Sequence, residues 1–329
     1  MNNWLKLPID TQRELFNQIS SATGLPAFAV EKDAWVTLAL RMLFNSEIKD
    51  HFVFKGGTSL SKCYNLIKRL SEDIDISLDR EYLNFSGALT KGQIRKLRRS
   101  THSFVLAKLP NILLEELTKY GIEEIKYEIE VPNIKVSDQD PETLLIKYNS
   151  VFDKETYLQP NVRIELGGRS LIEPFEEKEI NSLIDESYKE SEFAETSFIV
   201  KAVLPGKTVL EKMILLHEEF HKPIEKMKSH RMSRHLYDII QIMKTEHFDK
   251  ALNNKKLFKD ICLHREKFTP LKPIGTIDYN KLKIKKLRIV PPRNIIEDFR
   301  KDYREMQTTM FYGESPSFDD VITKLKSIT

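Results

Sequence analysis

The pattern of apolar and polar positions changes character along the chain. Apolar residues recur at helical spacing over 10–50 and 91–119, whereas 122–131, 144–152 and 161–167 show the composition and alternation of strands. From Gly206 onward the spacing is mostly helical, with clear segments at 208–220, 233–244 and 295–307. This order predicts an α+β protein, with one domain over 1–195 and a mainly helical domain over 196–329. The acidic, irregular stretch 171–196 is predicted to be the crossing between them.

The most informative stretch is HFVFKGGTSLSKCYNLIKRLSEDIDISL, residues 51–78. Phe52–Phe54 is a short apolar run that stops at two glycines, as a buried strand does. The following apolar positions have helical spacing, which predicts an amphipathic helix: Leu60, Cys63, Tyr64, Ile67 and Leu70. Ile74, Ile76 and Leu78 then alternate with polar residues, which predicts a half-buried strand. The predicted local order is strand, Gly-Gly turn, helix and strand.

Asp73 and Asp75 are the first candidate site. Two residues apart on a strand, they point to the same face, where two carboxylates repel one another unless a cation lies between them. Mg²⁺ suits this position, because it binds one or two carboxylates together with water and substrate phosphates. The alternative interpretation is that the two aspartates lie on a solvated strand edge and bind no metal.

The glycine turn is the second candidate. Gly56 and Gly57 allow the backbone to approach a bulky anion closely, and Thr58 and Ser59 begin the predicted helix. Backbone N–H groups and hydroxyls at a helix N-terminus bind phosphate well, so the turn is a candidate triphosphate site. An ordinary turn with a helix cap explains the same residues. The turn and the aspartate pair together, in this order, favour a metal-bound nucleotide as ligand.

Composition narrows the class of protein without fixing its function. The 329-residue chain has 40% hydrophobic and 31% charged residues, which is typical of a folded globular protein. Its net charge of +3 is too small to indicate a nucleic-acid partner, so any such inference depends on local clusters. Cys63 and Cys262 show no zinc spacing, and the sequence contains no apolar run long enough to span a membrane. We therefore expect a cytoplasmic protein that does not bind membranes.

The stretch KGGTSLSKCYNLIKRLSEDIDISL resembles the signature of the AbiEii/AbiGii-type nucleotidyltransferase toxins, a branch of the DNA polymerase β-like superfamily. LEKMILLH at 210–217 and RHLYDIIQI at 234–242 are also similar to family segments. The resemblance implies a polymerase β-like nucleotidyltransferase domain with a mixed sheet flanked by helices. It further implies that the helical domain completes the active-site cleft. This sequence departs from the usual Gly-Ser order, because Thr58 precedes Ser59, and which hydroxyl contacts phosphate stays open.

The resemblance also implies roles for individual residues. Asp73 and Asp75 would be catalytic metal ligands, and Glu165 in VRIEL is the candidate third metal ligand. Lys212 and Asp238 match positions of further catalytic residues. Arg69 is a secondary candidate for nucleotide binding, together with Gly56, Gly57, Thr58 and Ser59. From the residues alone, a lysine that reaches solvent is the more common explanation of Lys212, and an ion pair with Arg234 within the helix explains Asp238. Asp238 as a base and Asp238 as a group that orients Lys212 are both left open.

Two local clusters of basic residues make RNA a candidate acceptor: Lys91, Arg95, Lys96, Arg98 and Arg99, and then Lys281, Lys283, Lys285, Lys286, Arg288 and Arg293. Together with the metal and nucleotide candidates, the resemblance implies a toxin that uses Mg²⁺ or Mn²⁺ to transfer NMP from an NTP to RNA, with the tRNA 3′ end as acceptor; this is the leading hypothesis. A cognate antitoxin would neutralise it. The alternatives are transfer to a hydroxyl of a protein or small molecule, and a nucleotide-binding module without catalysis.

Overall fold

The computed structural model describes residues 3–122, 127–132, 141–152 and 159–328. The chain forms two compact units. The sheet unit comprises Met1–Cys63 and Ser71–Ala202, and the helical unit comprises Tyr64–Leu70 and Val203–Thr329. The helical unit therefore includes a short segment from the first third of the chain. The sequence predicted one division at residue 195, which would have left this segment in the sheet unit.

The sheet unit is built on seven strands. Their bounds are β1 Phe52–Lys55, β2 Asp73–Leu78, β3 Tyr127–Glu130, β4 Glu142–Tyr148, β5 Asn161–Gly167, β6 Phe175–Ile180 and β7 Phe198–Val203. They form one mixed sheet in the order β3-β4-β5-β2-β1-β7-β6. β2 is central, since it pairs with β1 in antiparallel and with β5 in parallel orientation. The α+β class predicted from the sequence is confirmed.

Among the described residues, six α-helices belong to the sheet unit. They are α1 Ile9–Thr23, α2 Ala27–Asn45, α3 Gly56–Lys62, α4 Lys91–Ser103, α5 Leu109–Lys119 and α6 Leu183–Ser187. The longest of these, α2, is buried on nearly all sides and packs against β2 and β5. A capping box between Thr90 and Gln93 fixes the start of α4, and a π-helical turn at Phe104–Lys108 joins α4 to α5. The predicted helical region 91–119 is thereby confirmed.

The helix predicted to run as far as Leu70 is shorter than expected. α3 ends at Lys62, and Asn65 has a left-handed φ of 50°. The segment beyond it pairs with a distant one: Leu70 N–H donates to Met310 O over 2.7 Å, and Tyr312 N–H donates to Lys68 O over 3.2 Å. The helical prediction for 64–70 was wrong because these long-range backbone bonds replace the local ones.

The stretch 171–196 also differs from its prediction as an irregular crossing. It contains the edge strand β6 and the helix α6, and both lie in the sheet unit. Most side chains of β6 are polar or charged, as is common at the edge of a sheet, so alternation of apolar residues did not reveal the strand. Among the other predicted strands, 161–167 matches β5, 144–152 overlaps β4, and the part of 122–131 at 123–126 lies outside the described residues.

The helical unit contains the remaining helices. They are α7 Pro205–Glu219, α8 Ser233–Ile242, α9 Glu246–Asn253, α10 Lys255–Phe268, α11 Ile296–Thr309 and α12 Phe318–Lys326. α7 packs against α8, α9 and α10, and α8 also packs against α11 and α12. The core around α8 is formed by buried apolar residues, including Leu236, Tyr237, Ile239 and Ile240. Of the helices that the structure describes, none combines the length and apolar character that a transmembrane span requires.

Candidate active site

One face of the sheet unit carries a row of polar side chains across four adjacent strands. Lys55 on β1 is paired with Asp75 on β2, Asp75 with Glu165 on β5, and Glu165 with Thr143 on β4. Directly paired residues share a face of the sheet. Asp73 lies on this face too, because it is two positions from Asp75 on the same strand. The intervening Ile74 and Ile76 are fully buried on the other face, so the alternation predicted for this strand is confirmed.

Gly56 lies against the Asp75 carboxylate. It begins α3 directly after β1, with a left-handed φ of 79°. A β-carbon at this position would lie 1.9 Å from Asp75 Oδ2 and 2.7 Å from Asp75 Cγ, far inside van der Waals contact. Glycine is therefore required here for two reasons, the backbone conformation and the space that the carboxylate occupies.

The hydroxyl groups of the turn are buried. Thr58 donates its hydroxyl proton to the backbone oxygen of Asp73, and its Oγ1 lies 3.0 Å from Ser71 Oγ, whose hydroxyl can donate to it. These bonds tie the first turn of α3 to the start of β2. Ser59 is equally buried, whereas Gly56 and Gly57 are partly exposed. In this structure the glycine backbone is the accessible part of the predicted phosphate site, and the Thr58 side chain has a structural partner.

The donor set around Asp73 and Asp75 suits a magnesium ion. Asp73 and Asp75 are partly exposed carboxylates on one face, and Mg²⁺ binds such oxygen donors while keeping waters and substrate phosphates. Glu165 lies in register with Asp75 on the next strand. Within the described ranges, however, no three or more histidine, cysteine, aspartate or glutamate side chains form a group that could hold a metal by themselves. Asp73 and Asp75 as metal ligands, and Glu165 as a third ligand, therefore stay predictions.

The helical unit holds a second group of predicted residues around Asp238. Asp238 on α8 is completely buried and binds Arg69 through both oxygens, at 2.8 Å from Nε and 2.7 Å from Nη2. Lys212 on α7 is 3.0 Å from Asp238 Oδ2 and 3.3 Å from Nδ1 of His235. Asp302 on α11 positions α8 by accepting the backbone N–H of Ser233 over 2.9 Å.

Burial and charge set the protonation states of this cluster. Burial raises the pKa of Asp238, but the charges and hydrogen bonds of Arg69 and Lys212 outweigh it and hold the pKa below its usual value. Burial lowers the pKa of Lys212, and Asp238 partly offsets this. Burial and then Lys212 lower the pKa of His235 well below its usual value, so the ring is neutral and accepts a hydrogen bond from Lys212. The result is a buried ionic network with a neutral histidine at its edge.

Arg69 is not presented to a ligand as the sequence led us to expect. Its guanidinium is buried, two of its nitrogens bind Asp238, and Nη1 donates to Leu70 O over 3.1 Å. The backbone pairing of Arg69 with Phe311 keeps it in the helical unit. The structure therefore pairs the Arg69 guanidinium with the Asp238 carboxylate, and a role of Arg69 in nucleotide binding stays a prediction.

The sequence reasoning did not select two cations on the sheet face. Lys55 is paired with Asp75, and its Nζ donates to Ser170 Oγ over 2.9 Å. Arg163 is paired with Asp73, and its Nε lies 3.6 Å from Asp73 Oδ1. Lys55 stood directly before the glycines, and Arg163 stood two residues before Glu165 on a predicted strand. Period-two spacing placed Arg163 on the face of Glu165, but only the strand order brings it to Asp73.

A mixed sheet that presents two aspartates beside a glycine turn is typical of nucleotidyltransferases. The chain matches the family model described as the nucleotidyl transferase AbiEii toxin of type IV toxin–antitoxin systems over residues 38–324. This match covers most of the sequence, and the chain belongs to that family. It is accordingly a nucleotidyltransferase of the toxin class, with a nucleotide substrate and a cognate antitoxin. The family predicted from the motif is confirmed.

Two solved structures are similar over nearly their full lengths. MenT4, a nucleotidyltransferase toxin from Mycobacterium tuberculosis, is 17% identical and aligns over 96% of this chain and 98% of its own, with a TM-score of 0.45. JHP933 from Helicobacter pylori is 14% identical and aligns over 92% and 95%, with a TM-score of 0.39. No curated protein matches the chain. The assignment therefore depends on the family match and not on these distant structures.

Proposed function

We propose that this toxin is a Mg²⁺-dependent enzyme that transfers NMP from an NTP to RNA, with the 3′ end of tRNA as acceptor. The observation that carries the proposal is the pair Asp73 and Asp75 on one sheet face, with Gly56 packed against Asp75. Mg²⁺ at this pair supplies charge neutralisation for an in-line displacement at phosphorus. Mn²⁺ is the alternative ion, because the donor set consists of oxygens.

The residues of the chain have distinct parts in this proposal. Asp73 and Asp75 bind the ion, and the Gly56–Gly57 backbone leaves room for the phosphates beside Asp75. Asp238 is a poor base, because its carboxylate is buried, held by two cations and depressed in pKa. We therefore infer that Asp238 positions Arg69 and Lys212, which is one of the two roles left open by the sequence. The catalytic role of Lys212 remains a prediction.

Exposed basic residues support RNA as the acceptor. On α4 the cations lie on the side opposite the buried Ile94 and Leu97, and Lys91, Arg95, Lys96 and Arg99 are all exposed. In the helical unit, the exposed cations of 281–293 surround short 3₁₀ turns. Exposed lysine and arginine side chains bind nucleic acid mainly through phosphates, so these two surfaces favour a polyanionic acceptor.

The test is incorporation of label from each α-³²P NTP into total RNA and into purified tRNA, with Mg²⁺. We expect one discrete RNA band, and its loss when periodate has oxidised the 3′ ribose of the tRNA. Asp73→Asn should abolish labelling. Asp79→Asn is the matched control, since Asp79 directly follows β2 and its side chain is 31% exposed, against 30% for Asp73.

Three outcomes separate the alternatives. Label on polypeptide would replace RNA with a protein acceptor. Labelling of tRNA that was first oxidised with periodate would show that the acceptor is not the 3′ hydroxyl. Absence of transfer from all four nucleotides by folded protein would contradict the proposed activity on RNA.

A further inference from the structure

Arg163 is an exposed cation on the face that carries Asp73 and Asp75. It lies on β5 directly beside Asp73 on β2, and it shares that face with Glu165 two residues along. Its Nε is 3.6 Å from Asp73 Oδ1, which is a charge contact but too long for a hydrogen bond. Arg163 therefore partly neutralises one of the two carboxylates that the proposed function assigns to the metal.

The other cations of this region have stronger partners. Lys55 donates to Ser170 Oγ over 2.9 Å. Lys32 is buried, donates to the backbone oxygens of Gln159 and Asn161, and pairs with Glu72 at 3.5 Å. The side chain of Arg163, by contrast, is 45% exposed, and exposed ion pairs of this kind contribute little to stability. Arg163 can consequently leave Asp73 at small cost.

The geometry points to Arg163 as a placeholder counter-ion, by which we mean a cation that neutralises the Asp73 carboxylate only until substrate binds. When a divalent cation binds Asp73, the Arg163 side chain moves away and contacts a phosphate of the nucleotide. This inference rests on the proposed metal role of Asp73. A guanidinium and a divalent cation compete for the same carboxylate, so Arg163 opposes binding of the bare ion. Guanidinium also matches phosphate oxygens in geometry, so the released side chain favours the nucleotide.

Two opposite effects of one substitution follow. Arg163→Ala removes the competitor, and we expect Mn²⁺ alone to bind about two- to fivefold more tightly, the range of an exposed ion pair. The same variant lacks the phosphate contact, and we expect Mn²⁺ plus nucleotide to bind about tenfold more weakly, as for a hydrogen bond to a charged group. Arg163→Lys retains the charge and should bind Mn²⁺ alone as the wild type does.

The experiment measures free Mn²⁺ by electron paramagnetic resonance in titrations of the full-length protein at low ionic strength. Each titration is run with Mn²⁺ alone and with Mn²⁺ plus the α,β-methylene analogue of each of the four NTPs. Arg13→Ala is the matched control, because the Arg13 side chain is also 45% exposed and is paired with Asp10. We expect this control to change neither measurement. Near-ultraviolet circular dichroism verifies that each variant is folded.

Opposite signs for the two titrations of Arg163→Ala support the placeholder role. Unchanged or weaker binding of Mn²⁺ alone overturns it, as does a change of the same sign in both titrations, which indicates only a structural role. If the wild type binds Mn²⁺ and Arg163→Ala binds it equally, the inference fails and the metal role of Asp73 stands. If the folded wild type binds no Mn²⁺, the inference about Arg163 and the metal role of Asp73 both fail.

Discussion

Asp73 in the sheet unit and Asp238 in the helical unit show two opposite environments for an aspartate. Asp73 is partly exposed, and its nearest cation, Arg163, is beyond hydrogen-bonding distance. Asp238 is fully buried, and Arg69 and Lys212 bind both of its oxygens. A carboxylate with incompletely compensated charge can bind a ligand at low cost, whereas one held by two cations is already satisfied. The comparison suggests that Asp73 serves the reaction and Asp238 serves the geometry of its unit.

The largest expected effect comes from breaking the buried pair. Asp238→Asn leaves Arg69 and Lys212 in the core without their carboxylate, whereas Arg69→Ala leaves Asp238 with Lys212 as its remaining cation. We expect each variant to lower the free energy of unfolding by about 3–5 kcal/mol, with Asp238→Asn at the upper end. Urea denaturation measures this directly. The double variant should be destabilised by clearly less than the sum of the two single variants, because the residues are coupled. Additive losses, or a loss of similar size in Asp73→Asn, would contradict the contrast between the two aspartates.

Gly56→Ala should affect activity more than stability. The new β-carbon would collide with the Asp75 carboxylate and displace it, and we expect transfer to fall about 100-fold, the effect of misplacing a catalytic group by about 1 Å. The left-handed φ adds a destabilisation of about 1 kcal/mol. Gly24→Ala is the control for backbone strain, because Gly24 has a φ of 75° and no atom within 4 Å of its added carbon. Equal activity losses in both variants would show that the collision is unimportant.

The pH dependence of stability should reveal the ion pairs of Asp238. The pKa of Asp238 is lowered in the folded protein, so the unfolded chain binds its proton at a higher pH than the folded protein does. Its contribution is complete above the unfolded pKa of about 3.9 and is lost as pH falls toward the folded value. The difference in unfolding free energy between wild type and Asp238→Asn should therefore be constant from pH 7 to about 5 and decrease below about 4. A difference that decreases between pH 7 and 5 would contradict this assignment.

Local patterns predicted the parts of the site that depend on neighbouring residues. Asp73 and Asp75 alternate with buried isoleucines, so their common face was visible in the sequence. A helix directly after the glycines was also predicted, although α3 begins at Gly56 itself and not at Thr58. Glu165 was placed correctly on a strand, because its apolar neighbours alternate with polar residues.

Long-range pairing explains what the sequence did not predict. The partner of Asp238 is 169 residues away in the chain, and no periodicity connects Arg69 with α8. The helix expected through Leu70 ends early, because its last residues pair with Met310 and Tyr312. Arg163 reaches Asp73 only because β5 is the neighbour of β2 in the sheet. The strand β7 was missed, although its alternating burial left a period-two signal in FIVKAV.

The most direct test of the account is the rate of NMP transfer as a function of Mg²⁺ concentration, for wild type and Asp75→Asn at equal folded fraction. The account predicts that wild-type transfer rises to saturation with Mg²⁺ and stops in EDTA. It predicts that Asp75→Asn stays at least about 1,000-fold slower at every concentration, since metal stabilisation of the transition state is worth several kcal/mol. Its melting temperature should remain that of the wild type. Transfer by Asp75→Asn at the wild-type rate, or wild-type transfer that persists in EDTA, would contradict it.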